Sequence, residues 1–281
     1  MSMNPAQLKS TRPNPAHWPE SWAHRSPRAR LALWALWLGI VALFVWCWEV
    51  MTTRTIWSFV WDAPRAASDI ASRAWPPRWS YLDQLWAPLW DTLNIATLGT
   101  LIGTVLAVPL AFLAASNTTP SKLIARPVAL LLIVASRSIN SLIWALLLVS
   151  ILGPGLLAGI IAIAFRSVGF VGKLLYEAIE ETDAKQVEAI TATGASQAQI
   201  LNYGIWPQVM PAFVGISVFR WDINIRESTI LGLVGAGGIG MQLQSSLNML
   251  AWPQVLLIVL VILATVVVSE GISSRVRKAI I

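Results

Sequence analysis

Cysteine is nearly absent from this chain: its 281 residues hold one, Cys47. A single thiol builds neither a disulfide framework nor a cysteine-based metal cluster. Histidine is almost as scarce. His17 and His24 both fall in the N-terminal tail. They share no ligand spacing with other donors and read as solvated residues, so no metal site is expected. Charge is the third shortage. Charged residues make up 12% of the chain and hydrophobic residues 56%, against roughly 25% charged in an average soluble domain. The net charge is +6, but the basic residues flank apolar runs. They point to membrane orientation and not to nucleic acid.

In place of these residues the chain has six apolar segments, at 31–48, 89–115, 127–151, 154–173, 209–232 and 253–272. Each approaches the roughly 20 residues a helix needs to cross a hydrocarbon core. The expectation is an all-α polytopic membrane protein with six transmembrane helices. Residues 1–30 form a tail, 31–48 the first membrane helix, and 89–281 the core. No small-x-small cleavage site follows the first span, so it is expected to be retained. With the N-terminus inside, the inner pieces carry twelve Lys and Arg and the outer pieces four. That asymmetry places both termini in the cytoplasm. The outer segment 49–88 is rich in tryptophan and balances four acidic against four basic residues. Its part near 55–73 fits an interfacial helix or a structured loop equally well.

GAGGIG, residues 235–240, matches the dinucleotide pattern G-x-G-x-x-G. That pattern needs a preceding strand, a following helix and an acidic residue about 20 positions on. Here it follows a membrane span, and the next acidic residue is Glu270 in the last one. A P-loop also fails, because Met241-Gln242 stands where Lys-Ser/Thr is required. No cofactor is expected on this chain. Gly235, Gly237, Gly238 and Gly240 read either as an outer gate or as an ordinary re-entrant turn.

The longest inner loop, 173–208, is polar and acidic. It predicts two helices, 173–193 and 196–203, broken at Gly194. Such a knob suits docking into a partner. Glu188-Ala189, Gly194-Ala195 and Pro207 resemble the EAA loop of ABC-importer permeases, E-A-A-x3-G-x9-I-x-L-P. Ile190, Gly204 and Trp206 depart from that pattern. PQVMP (207–211), FRWDINIRESTILGLVGAGGIG (219–240) and RSINSLIWALL (137–147) are similar to the phosphonate-uptake branch of these permeases. The resemblance covers roughly 85–280 and implies a type I importer core plus one N-terminal helix. It implies a second permease chain, two ATPase subunits that carry ATP-Mg, and an extracytoplasmic binding protein, all in a bacterial inner membrane. It also implies that Glu188, Ala189, Gly194, Ala195 and Pro207 couple to the ATPase.

Ionisable residues within a span cost roughly 2.5–3.5 kcal/mol on insertion scales and mark candidate functional positions. The fifth segment holds Arg220, Asp222, Arg226 and Glu227. Asp222 and Arg226 form an i,i+4 pair, and Arg220 and Glu227 lie two turns apart on another face. Arg137 and Arg166 sit in spans without an acid. Asn140 and Ser141 follow Arg137 at i+3 and i+4 and are expected to share its helical face. A guanidinium among hydroxyls and amides suits a tetrahedral oxyanion. Pairing of Arg137 with Asp222 or Glu227 is the other reading. A methionine permease, an ion-coupled secondary transporter and a membrane enzyme are the rival functions. The last lacks any catalytic cluster in the sequence.

Overall fold

A computed structural model describes residues 27–280 of the chain. The tail before Pro27, with His17 and His24, lies outside the described residues. The described residues contain helices and no strand. In order they are α1 (Pro27–Arg54), α2 (Trp57–Ala74), a 3-10 turn (Trp79–Leu85), α3 (Trp86–Ala114), α4 (Ala125–Ser138) and α5 (Ser141–Leu152). Then follow α6 (Leu156–Glu180), α7 (Ala184–Ala192), α8 (Gln197–Gln199), a π turn (Ile200–Ile205), α9 (Trp206–Gly232), α10 (Ile239–Asn248) and α11 (Trp252–Ile280).

The chain divides into two compact units, 1–66 and 67–281. In the first, α1 runs 28 residues and buries none of them. Between Leu31 and Trp48 it carries no charge, and an apolar surface of that length suits a helix solvated by lipid. In the second unit α3 and α6 form the most extensively packed pair. A Cβ on Gly103 would come 2.5 Å from Ser167 Cβ and 2.8 Å from the Ala164 carbonyl. Only a hydrogen fits there, so the two backbones approach closely, the usual device where lipid offers no hydrophobic drive. Ile95, Ala162, Ile163, Ala145 and Leu231 close the core at one end. Ala111, Leu175, Ile179, Ile205 and Val209 close it at the other.

Two expectations change here. Among the described residues, four helical stretches are long and apolar enough to cross a membrane: Pro27–Arg54, Trp79–Ala114, Leu156–Glu180 and Trp252–Ala279. A fifth crossing exists only if α4 and α5 are taken together, and they bend by 85°. The expected third span, 127–151, is therefore two helices. The break has a local cause. Ile139 is extended (φ −97°, ψ 133°), and the Asn140 side chain caps α5 by accepting from the Leu142 N–H. Short polar side chains favour such caps over helix interior. The expected fifth span is α9, 27 residues long. Its four charges keep it out of the group that passes on length and composition.

The inner loop also differs. Helix α6 continues to Glu180, and the chain breaks at 181–183. Asp183 caps α7 by accepting from the Lys185 N–H. The single helix expected at 173–193 is thus two, split by an N-cap that the sequence reading overlooked. Gly194 ends the α7 turn at φ +77°, where glycine carries no strain. Beyond it, Ser196 and Gln199 form a capping box, and the π turn runs directly into α9. The expected helix at 196–203 is only α8 and most of that turn.

Candidate functional site

Helix α9 threads its polar side chains into the middle of the second unit. Arg220 is 1% exposed, which for a guanidinium demands close partners. Its Nη2 donates to Glu227 Oε2 at 3.3 Å, and its Nε donates to Ser167 Oγ at 3.1 Å. The cation also lies 5.1 Å from the centre of the Phe170 ring, a cation–π geometry. Asn224, one turn beyond Arg220, donates to the same Ser167 hydroxyl at 3.0 Å and to Thr100 Oγ1 at 2.7 Å. Its Oδ1 is buried without a hydrogen-bond partner.

Glu227 is shared between two cations. Its other oxygen, Oε1, stands 3.5 Å from Arg166 Nε. Arg166 in turn donates through Nη1 to Asn140 Oδ1 at 3.1 Å. A continuous polar chain therefore runs from Thr100 on α3, through Asn224, Ser167, Arg220, Glu227 and Arg166, to the cap of α5. Asp222 and Arg226 form a separate pair. Asp222 is also held by Ser269 on α11, whose hydroxyl donates to Oδ1 at 2.8 Å. The Arg226 side chain is 44% exposed.

The two pairs on α9 are those that the spacing predicts. Arg166 does find an acid, Glu227, although none lies on its own span. Arg137 finds none: among the described residues it forms no ion pair, and it is exposed at the last turn of α4. The face that it was expected to share with Asn140 and Ser141 does not exist, because the helix ends between them. Asn140 serves the cap and Arg166 instead. Ser141 is buried at the start of α5, and its hydroxyl donates to Asn140 Oδ1 at 3.3 Å. Sequence reasoning missed Ser167, Asn224, Thr100 and Ser269. A signal existed for two of them: Ser167 follows Arg166 directly, and Asn224 is i+4 from Arg220. Thr100 and Ser269 are small hydroxyls in apolar runs and carry no such mark.

GAGGIG forms the tight corner between α9 and α10. Gly235, Gly237 and Gly238 have φ of +93°, +86° and +74°, which L side chains rarely adopt. Gly240 abuts α9: a Cβ there would lie 2.9 Å from Gly232 Cα. The Ile239 N–H donates to Thr92 Oγ1 at 2.8 Å, and the Gly155 N–H donates to the Gly235 carbonyl at 3.0 Å. The run is thus pinned to α3 and to the start of α6. Its glycines serve steric closeness.

At the other end, α7 and α8 project as the knob. Glu188, Ala189 and Gly194 are exposed, Ala195 is half-buried, and Pro207 occupies the first turn of α9. A proline is tolerated there, where the π turn passes into α9. The Gln208 side chain ties the knob to α9, accepting from the Asp183 N–H at 2.9 Å and donating to the Gly204 carbonyl at 2.6 Å. No group of three or more metal-ligating side chains gathers among the described residues.

Residues 107–280 match the family described as binding-protein-dependent transport system inner membrane component. The chain belongs to that family. It is 39% identical over 244 residues to the phosphite transport system permease protein PtxC of Stutzerimonas stutzeri, covering 87% of each chain. It is 42% identical over 191 residues to the phosphate-import permease protein PhnE of Mycolicibacterium smegmatis, covering 68% of this chain and 36% of that one. Among solved structures, the fold is that of the inward-facing MetNI methionine ABC transporter. The TM-score is 0.63 at 20% identity, over 72% of this chain and 99% of that one. A D-methionine permease of Vibrio cholerae is 24% identical over 167 residues, well below the phosphite relative. This chain is a multi-pass permease subunit of an ABC importer. Its matched region contains the whole polar chain except Thr100.

Proposed function

We propose that this permease forms the membrane path for a phosphorus oxyanion such as phosphite, a phosphonate or phosphate. One observation carries the reading: the ionisable residues of the site are four arginines against two carboxylates, a surplus of two positive charges. Glu227 is divided between Arg166 and Arg220. Arg137 stands exposed at the α4–α5 break. A tetrahedral oxyanion can use such guanidinium donors in parallel pairs. A zwitterionic solute such as methionine does not call for that surplus. The names of the relatives support the same class. Arg137 and Arg166, with Asn140, form the passage, buried Ser141 supports Asn140 from behind, and the Arg220–Glu227 and Asp222–Arg226 pairs brace or gate it. Binding along it is weak, since a solute held strongly would not leave. The corner at Gly235, Gly237, Gly238 and Gly240 closes its outer end.

The α7–α8 knob, through Glu188, Ala189, Gly194, Ala195 and Pro207, docks on a separate ATPase subunit that holds ATP-Mg. Two permease chains and two ATPases work with an extracytoplasmic binding protein. The assembly sits in the cytoplasmic membrane with both termini inside, and α9 is the fifth of six crossings in each permease chain, before α11. Alternation between inward and outward states follows from ATPase closure against the knobs. The test is reconstitution of the assembly in proteoliposomes with ATP inside and the binding protein outside. ATP-dependent uptake of phosphite, methylphosphonate or phosphate is expected. Uptake of methionine alone, or uptake driven by an ion gradient without ATP, overturns the proposal.

A further inference from the structure

The segment between α1 and the 3-10 turn has a role that the permease core does not explain. Helix α2 is 18 residues long and buries none of them. At about 100° per residue, Asp62, Arg65, Asp69 and Arg73 fall within an arc of about 80°. The charges neutralise one another along that arc: Arg73 Nη2 lies 2.7 Å from Asp69 and Arg65 Nη1 lies 4.0 Å from Asp62. The opposite side carries Trp57, Val60, Trp61, Ala67, Ile70 and Ala71, interrupted by Ser68. Trp61 and Phe59, at the two edges of this arc, are 76% and 73% exposed. A helix so divided, with low overall hydropathy, has the signature of a monotopic interfacial element.

Its place in the chain fixes the level at which it lies. Only two residues separate it from the end of α1, whose fully exposed apolar surface belongs in lipid. The Trp57 indole N–H donates to the Thr52 carbonyl at 3.1 Å, closing the corner between the two helices. Downstream, Trp79, Trp86 and Trp90 are 63–65% exposed where the next crossing begins. Indole rings concentrate at the headgroup level of a bilayer. We propose that α2 lies flat in the membrane surface, with its Val60–Ala67–Ala71 side among the acyl chain ends, Trp61 and Ile70 on its two flanks, and its Asp/Arg side in water. Its polar side has no net charge, so apolar burial holds it there and anionic lipid is not required. The occupant of the exposed apolar face is lipid. This rests on the membrane reading of the chain and is independent of its substrate.

The experiment places spin labels on the full-length permease in phosphatidylcholine proteoliposomes. Cys47→Ser provides the background. Four single-cysteine variants follow: Val60→Cys and Ala71→Cys on the apolar side, Ser58→Cys and Asp69→Cys on the polar side. Each apolar position has a polar neighbour two residues away at nearly the same point along the helix. Collisions with oxygen should exceed collisions with a water-soluble nickel chelate at 60 and 71, and the ratio should invert at 58 and 69. Adding phosphatidylglycerol should leave the contrast unchanged. Equal nickel collision at all four sites means that α2 stands in water and overturns the proposal. Shielding of 60 and 71 from both reagents means that protein covers the face, and also overturns it. A contrast seen only with anionic lipid overturns the apolar mechanism.

Discussion

Arg220 and Arg137 are the same residue type in the same membrane protein, yet their surroundings are opposite. Arg220 is 1% exposed and held by Glu227, Ser167 and the Phe170 ring. Arg137 is exposed at a helix break and has no ion pair among the described residues. Taking a guanidinium out of water is costly unless its partners replace the lost solvation. Arg220 therefore requires its network, and the network holds α3, α6 and α9 together. Arg137 stays in solvent reach and carries no such cost. Under the proposed function, this cation is the one that meets the passing anion.

Four substitutions separate these roles, taken from the largest expected effect on stability. Glu227→Ala removes the carboxylate shared by Arg220 and Arg166. Breaking a buried pair by deleting one partner costs about 3–5 kcal/mol. The thermal midpoint of the purified permease in detergent should fall sharply, and an unchanged midpoint would end the claim that α9 is braced by this triad. Gly240→Ala tests the corner that closes the same helix. The new Cβ would collide with the Thr229 backbone carbonyl and sit 2.9 Å from Gly232 Cα, and all of these atoms are anchored in backbone. Such overpacking costs about 1–3 kcal/mol. A neutral result would show that the α9–α10 corner yields freely.

Gly194→Asp probes the far end of the molecule. Its φ of +77° penalises a side chain, by about 1–2 kcal/mol in general. No atom lies within 4 Å of the position to clash. The permease should stay folded by circular dichroism yet lose co-purification with its ATPase. Intact co-purification would remove the knob from the docking surface.

Much of this architecture was legible in the sequence. Apolar run length predicts α1, α3, α6 and α11, because lipid thickness fixes helix length. The i,i+4 and i,i+7 spacing of Asp222, Arg226, Arg220 and Glu227 predicts both pairs on α9. What stayed hidden depends on contacts across helices. Arg166 lacks an acid within the apolar run 154–173, and its link to Glu227 exists only once α6 packs beside α9. The break at Ile139–Asn140 was hidden for another reason. Run length counts 127–151 as one apolar span, whereas a single Asn capping the Leu142 N–H redirects the chain by 85°. Asp183 acts in the same way on the inner loop. In both places a local hydrogen bond outcompetes a periodicity that extends through it.

Arg137→Ala is the smallest perturbation to the fold and the sharpest test of its use. The side chain is exposed and carries no ion pair among the described residues, so the stability change should stay within about 0.5 kcal/mol. Its neighbours need no rearrangement: Asn140 Oδ1 is occupied by Arg166 and the Leu142 N–H, and Ser136 bonds to the backbone of α6. Uptake of phosphite in the reconstituted assembly should nevertheless fall, with ATPase association and binding-protein affinity unchanged. Arg137→Lys should restore part of it, because the charge returns without the planar pair of donors. If both variants transport as the parent does, the free cation is incidental and passage runs along the Arg166–Glu227 side. If Arg137→Ala instead unfolds the protein, the contrast with Arg220 is wrong, and both arginines are structural.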